Sequence, residues 1–176
     1  MPTTDTAKLQ ELILYIAEQS EGDPRFGQTK LCKILFYADF LFYQKTGQSI
    51  TGQQYRKAPD GPLAVDAEAT LQALKDEGSL AMARREYHGC AQQRPVALRE
   101  SDLEAFSGKE IALVNDVIRD LWEQNAREVS QIAPDFTGWH AAVIGEVIPY
   151  ETILVDNSPL TEEEEAWARQ FALTRV

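Results

Sequence analysis

The residue types that most often perform catalysis or bind metals are sparse in this sequence. The two histidines, His88 and His140, lie far apart and lack the HxxxH or CxxC partner spacing that zinc sites use. The two cysteines, Cys32 and Cys90, are also isolated from each other. No nucleophile elbow (GxSxG), phosphate-binding loop (GxxxxGKS/T) or dinucleotide-binding turn (GxGxxG) occurs. The sequence therefore predicts no catalytic set, no metal site and no cofactor, and we expect a protein that is not an enzyme.

Charge is distributed unevenly along the chain. Six basic residues and a single acid, Asp39, lie between Arg25 and Lys57, whereas seven acids and no base lie between Glu146 and Glu165. The whole chain carries 28 acids against 17 bases, a net charge of −11. This charge disfavours a protein whose main task is to grip nucleic acid, because phosphate contacts need a positive surface. It favours a basic protein partner, although charged stretches can also be simple solvated faces.

Apolar residues recur at helical spacing through most of the 176-residue chain, which predicts a largely helical protein. The second helix is apolar almost all round, so we expect it to be central, and Gly47 is expected to end it. Alternating apolar residues on both sides of His88 predict a β-hairpin over about residues 79–99. The expected helices cover about residues 5–20, 28–46, 62–77, 107–125 and 137–144, with a short helical segment reaching Ile132.

Turn and capping residues mark several element boundaries. Residues 59–62 form a turn after an extended segment, and Pro62 is expected to begin the third helix. Ser101 with Glu104, and Ser107 with Glu110, each fit a capping box at a helix start.

These elements predict an α+β fold that is mostly α, a helical bundle with a small antiparallel β-hairpin or sheet. We expect one domain over residues 1–176, with residues 158–176 as an appended acidic C-terminal helix. The longest uninterrupted apolar run, Ile34 to Ala38, is too short to cross a membrane, and the N-terminus has no apolar signal core. Together with two lone thiols, this predicts a cytoplasmic protein that does not enter the membrane.

The order helix, extended segment, helix and hairpin is also that of part of a winged helix, a DNA-binding arrangement. The hairpin region carries four arginines, Arg84, Arg85, Arg94 and Arg99. The third helix, which would enter the groove, is acidic and would repel phosphates. A nucleic-acid-binding regulator is therefore the alternative interpretation, and an enzyme with a pocket that the sequence does not reveal is a third.

The run from Thr29 to Leu63 resembles the signature of the Panacea antitoxin domain, the SocA-like family. A lysine- and leucine-rich helix ends in a Tyr-Ala pair, and a glycine and an extended segment then lead into Gly-Pro. The matching positions are Lys30, Leu31, Lys33, Leu35, Tyr37, Ala38, Gly47, Tyr55, Lys57, Gly61 and Pro62.

A second, weaker similarity lies at Ser130, Trp139 and residues 148–150. Many members of the family have a histidine shortly after that serine, where this chain has residues 133–135 as Ala-Pro-Asp. The resemblance spans roughly residues 8–155.

The resemblance implies a non-enzymatic protein that binds and neutralises a cognate protein toxin. One branch of the family acts as an adaptor that delivers its toxin to a Clp-type protease, and the genes often sit in prophages and other mobile elements. We expect the partner to contact the segment Tyr55, Arg56 and Lys57 and exposed positions around Lys30 and Lys33. An exposed strand edge at residues 53–57 is expected to recruit a partner strand. Gly61 and Pro62 are expected only to shape a turn.

Overall fold

A computed structural model describes residues 4–59, 61–87, 90–124 and 137–155. Its helices are α1 (Thr6–Gln19), α2 (Gln28–Thr46), α3 (Ala67–Asp76), α4 (Gly108–Asp120) and α5 (Thr137–Ala141), followed by a 3₁₀ helix (Tyr150–Leu154). The strands are β1 (Tyr55–Ala58), β2 (Gly61–Ala64), β3 (Leu80–Tyr87) and β4 (Cys90–Ala97). The predicted α+β, mostly α fold is confirmed. The predicted helical segment before Ile132 and the helix within 158–176 lie outside the described residues.

Helix α2 lies at the centre of the fold, and its bounds are those predicted from the sequence. It packs against α1, α4, β2 and the 3₁₀ helix. Gly47 ends it in the left-handed region, at φ 74°, which glycine adopts without steric cost. Its aromatic side chains meet those of later segments, with the rings of Phe40 and Tyr150 4.6 Å apart between centroids.

Helices α1 and α4 are joined by polar contacts at their edges. The ammonium of Lys8 lies 2.6 Å from the carboxylate of Glu110, and the hydroxyl of Tyr15 donates to the side chain of Asn115 at 2.8 Å. Ser107 and Glu110 form the predicted capping box at the start of α4. The capping box predicted for Ser101 and Glu104 is wrong, because the amide of Glu104 donates to the Asp102 side chain and no helix begins there.

Two antiparallel strand pairs complete the fold. β3 and β4 form the predicted hairpin, in register from Leu80 opposite Ala97 to Tyr87 opposite Cys90. β1 and β2 pair in register from Tyr55 opposite Ala64 to Ala58 opposite Gly61. Pro62 lies inside β2, so the expectation that it begins a helix is wrong; α3 begins at Ala67. Within the described residues, no helix is long and apolar enough to cross a membrane.

The loop between α1 and α2 is fixed by buried charges. The Lys30 ammonium pairs with the Asp23 carboxylate, and each side chain is only 2% exposed. The guanidinium of Arg94, in β4, donates to the carbonyls of Asp23 at 2.7 Å and Ser20 at 3.0 Å, and also to that of Glu21. Arg94 is therefore an internal brace and not a wing residue available to DNA.

We expect Asp23→Ala to lower the free energy of unfolding by about 3–5 kcal/mol, because it removes the carboxylate from a buried ammonium. Urea unfolding measures this loss. Asp116→Ala is the matched control, because its ion pair with Arg119 is 52% and 72% exposed and should contribute under about 1 kcal/mol. Equal losses from the two variants would contradict this account of the loop.

Candidate partner-binding site

β1 is the central strand of a small three-stranded arrangement. Opposite the β2 side, the amide of Ile148 donates to the carbonyl of Tyr55 at 2.8 Å, and that of Lys57 donates to Glu146 at 2.9 Å. Gly145 donates back to the carbonyl of Lys57 at 2.8 Å, and Val147 lies opposite Arg56. Residues 145–148 thus cover the strand edge that was expected to be exposed, and that expectation is wrong.

The outer edge of β2 does not replace the covered edge of β1. Pro62 has no N–H to donate to a partner strand. The N–H of Ala64 is bonded to the thiol of Cys32, whose pKa burial raises to about 11. Among the described residues, this sheet therefore presents no run of backbone donors for strand addition.

The inner face of β1 is locked to α2 by a buried carboxylate. Asp39 is fully buried and accepts hydrogen bonds from the Thr51 amide at 2.8 Å, the Thr51 hydroxyl at 2.6 Å and the Tyr55 hydroxyl at 2.7 Å. Burial raises the pKa of Asp39, while the bonds from Thr51 and Tyr55 act in the opposite direction. Tyr55 itself is 1% exposed, so it is a core residue and is not available for the partner contact predicted for it.

Lys30 and Lys33 are buried as well, each 2% exposed, so the expectation of an exposed surface at these positions is wrong. Lys30 pairs with Asp23. The aliphatic part of Lys33 runs past Gly61, where a Cβ would lie only 2.9 Å from the Lys33 Cε atom. Gly61 also has φ 125°, which disfavours any other residue. Gly61 therefore makes room for Lys33 in addition to shaping the turn.

Lys57 supports the helix beside β1. Its ammonium donates to the carbonyls of Trp139 at 2.7 Å and Ala142 at 2.9 Å, and it lies 5.1 Å from the centre of the Trp139 ring. A cation at the carboxyl end of a helix is favourable. Lys57 therefore positions α5 and the turn that follows it.

Arg56 is the one predicted contact residue that is exposed. It lies on the outer face of the sheet between Leu63 on β2 and Val147 on the covering segment, which are 49% and 40% exposed. Its guanidinium donates to the carbonyl of Gly145 at 3.1 Å, which holds it over this face. We name as the outer-face patch Arg56 together with Leu63, Val65, Val143, Ile144 and Val147.

The outer-face patch has the composition of a protein-binding surface. Val143 and Ile144, in the turn after α5, are 62% and 68% exposed. Clustered exposed aliphatic side chains mark interaction sites, and arginine is enriched in protein interfaces. The sequence patterns did not predict the aliphatic members of the patch. Val143, Ile144 and Val147 form an apolar stretch around Gly145, but such a stretch is equally typical of core residues.

The titration of Asp39 tests the buried network. Its raised folded-state pKa means that the folded protein holds this proton more tightly than the unfolded chain does. The stabilisation that the Asp39 carboxyl contributes is therefore present at low pH. It is lost as the pH rises from the ordinary aspartate pKa, 3.8, through the raised pKa of Asp39 in the folded protein. We expect the free energy of unfolding of the wild type, relative to Asp39→Asn, to fall as pH rises from about 4 to 8.

Glu110→Gln is the control of opposite sign. Burial alone would raise the pKa of Glu110, but bonds from Lys8 and Ser107 outweigh it and lower the pKa. The wild type should therefore have a higher free energy of unfolding than Glu110→Gln near neutral pH, and this difference should be lost as the pH falls below 4.5, the ordinary glutamate pKa. Urea unfolding in steps between pH 3.5 and 8 compares both pairs. An advantage over Asp39→Asn that grows with pH would contradict the assignment.

Comparison with known protein families matches residues 31–140, more than half of the chain, to the antitoxin SocA-like, Panacea domain. No curated protein and no solved structure gives a significant match. The matched range begins in α2 and ends in α5, so it contains the buried Asp39 network, the Lys33–Gly61 contact and three of the six residues of the outer-face patch. The chain belongs to the family of SocA-like antitoxins that carry a Panacea domain.

Proposed function

We propose that this protein binds a cognate protein toxin and neutralises it, and that the outer-face patch is the contact surface. Membership of an antitoxin-like family supports the role. The observation that carries the choice of surface is the exposure of Leu63 and Val147, which flank Arg56. Val143 and Ile144 are also exposed and directly precede Gly145, to which Arg56 donates. When a partner covers exposed aliphatic side chains, their removal from water stabilises the complex.

The architecture supports a rigid surface of this kind. Tyr55 is fixed to Asp39 from below, and Lys57 is fixed to the end of α5. Arg56 lies between these two held residues, so a partner would meet a side chain whose backbone is already ordered. Such preorganisation lowers the entropy that binding must overcome.

The role we propose is that of a binding protein and not of an enzyme, acting in the cytoplasm. The free, buried thiol of Cys32 suits a reducing compartment. Neutralisation proceeds either by blocking the toxin or by delivering it to a Clp-type protease. The two routes differ in the toxin level that remains after rescue.

The test is co-expression of the neighbouring open reading frame in a laboratory bacterium, with and without this protein, scored by growth. We expect growth arrest that this protein relieves and a complex that co-purifies. Arg56→Glu with Leu63→Asp should weaken toxin affinity by about 100-fold or more, since interface hot spots each contribute about 2 kcal/mol or more. Isothermal titration calorimetry measures that loss.

The matched control pair is Lys109→Glu with Leu103→Asp, which changes an exposed cation and an exposed leucine away from the patch. It should leave rescue and affinity unchanged. Full rescue by the Arg56/Leu63 variant would show that the patch is not the contact surface. A harmless neighbouring gene product would count against the antitoxin role at this locus. A toxin level that falls only when Clp protease is present would identify the delivery route.

A further inference from the structure

A groove runs between the last turns of α1 and strand β4, on different elements from the outer-face patch. Its volume is about 260 Å³. The apolar residues that line it, here called its floor, are Ala17, Pro95, Val96 and Ala97. Leu98 stands at its rim and is 59% exposed. The groove therefore has an apolar surface with an exposed leucine beside it.

The rim of the groove carries carboxylates. Glu18, Glu21 and Glu100 all line it and are all exposed. Two arginines line it as well. Arg94 is 3% exposed and donates to backbone carbonyls. Arg99 is 40% exposed and donates to the carboxylate of Glu11 at 2.9 Å, so its charge is paired at the surface. The three rim carboxylates outnumber the two guanidiniums, so the charge of the groove lining is negative on balance.

The size of the groove argues for a peptide side chain and not for a metabolite. Small-molecule sites usually enclose roughly 300–1,000 Å³, whereas this groove is smaller and its rim is exposed. One aliphatic side chain would fill its floor, and the chain on either side of that residue would pass between the rim carboxylates.

We propose that this groove binds a short segment of a partner protein in which an aliphatic residue is flanked by lysine or arginine. The aliphatic side chain packs against Ala17, Val96 and Leu98. The flanking cations pair with Glu18, Glu21 and Glu100. The net charge of −11 draws such a segment towards the protein. The proposal does not depend on the outer-face patch or on the identity of a toxin.

The test is selection of a displayed library of random twelve-residue peptides on the full-length protein. We expect the enriched peptides to carry leucine, isoleucine, valine or methionine with at least two nearby lysines or arginines. Synthetic, fluorescently labelled copies of them are then titrated by fluorescence polarisation. Their affinity should fall at least tenfold when the salt concentration is raised from 50 to 500 mM.

Groove variants and matched controls locate the binding. Leu98→Asp, and separately Glu18→Lys with Glu100→Lys, should each weaken the selected peptides at least tenfold. Leu154→Asp alters a leucine of the same exposure, 57%, elsewhere on the surface. Glu68→Lys with Glu151→Lys makes the same change in net charge at exposed positions outside the groove. Both controls should bind as the wild type does, and circular dichroism verifies that every variant is folded.

Three results of the library and groove experiments would overturn the proposal. They are a library that yields no binder, binders that lack basic residues, and binders that the control variants weaken as much as the groove variants do. Loss of peptide binding in the Arg56→Glu, Leu63→Asp variant would also overturn it, because the peptides would then occupy the outer-face patch. Growth rescue is scored separately, so failure of the groove and failure of the antitoxin role give different results.

Discussion

The burial of α2 on nearly every side is the constraint on which the rest of the structure depends. A polar side chain in such a helix must find its partners inside the protein, because an unsatisfied buried group costs free energy. Each such residue of α2 therefore fixes a different segment. Lys30 holds the α1–α2 loop through Asp23, Lys33 packs along Gly61, and Asp39 binds Thr51 and Tyr55. The helix is thus a polar scaffold as well as an apolar core.

The same constraint explains why three adjacent residues of β1 have three different tasks. Successive side chains of a strand point to opposite faces. Once Asp39 holds Tyr55 inward, Arg56 must face solvent, and the following Lys57 meets the carboxyl end of α5. The exposure of Arg56 is therefore a consequence of the core beneath it. A substitution at Asp39 would disturb the outer-face patch without touching any of its members.

Local patterns in the sequence predict the elements whose boundaries are set locally. The bounds of α2 follow from its apolar run and Gly47, and the hairpin follows from alternation across β3 and β4. What local patterns miss is pairing between distant segments. Lysine is a surface residue by type, so Lys30 and Lys33 were expected to be exposed even though the helix around them was expected to be central. The edge of β1 is likewise covered by residues 145–148, about ninety positions later in the chain. Whether these lysines and this strand edge are exposed could therefore be decided only from the tertiary structure.

The two proposed surfaces differ in chemistry, and this difference limits what each can bind. The outer-face patch is aliphatic around a single guanidinium, so a basic segment would meet repulsion there and an apolar or acidic surface would not. The lining of the groove beside β4 has the opposite sign on balance, because its three carboxylates are exposed, Arg94 is buried and Arg99 is paired with Glu11. Because Arg94 is buried and Arg99 is paired with Glu11, the exposed carboxylates dominate the charge of the proposed site. If the groove binds a basic segment as proposed, it would therefore select partners that the patch would reject.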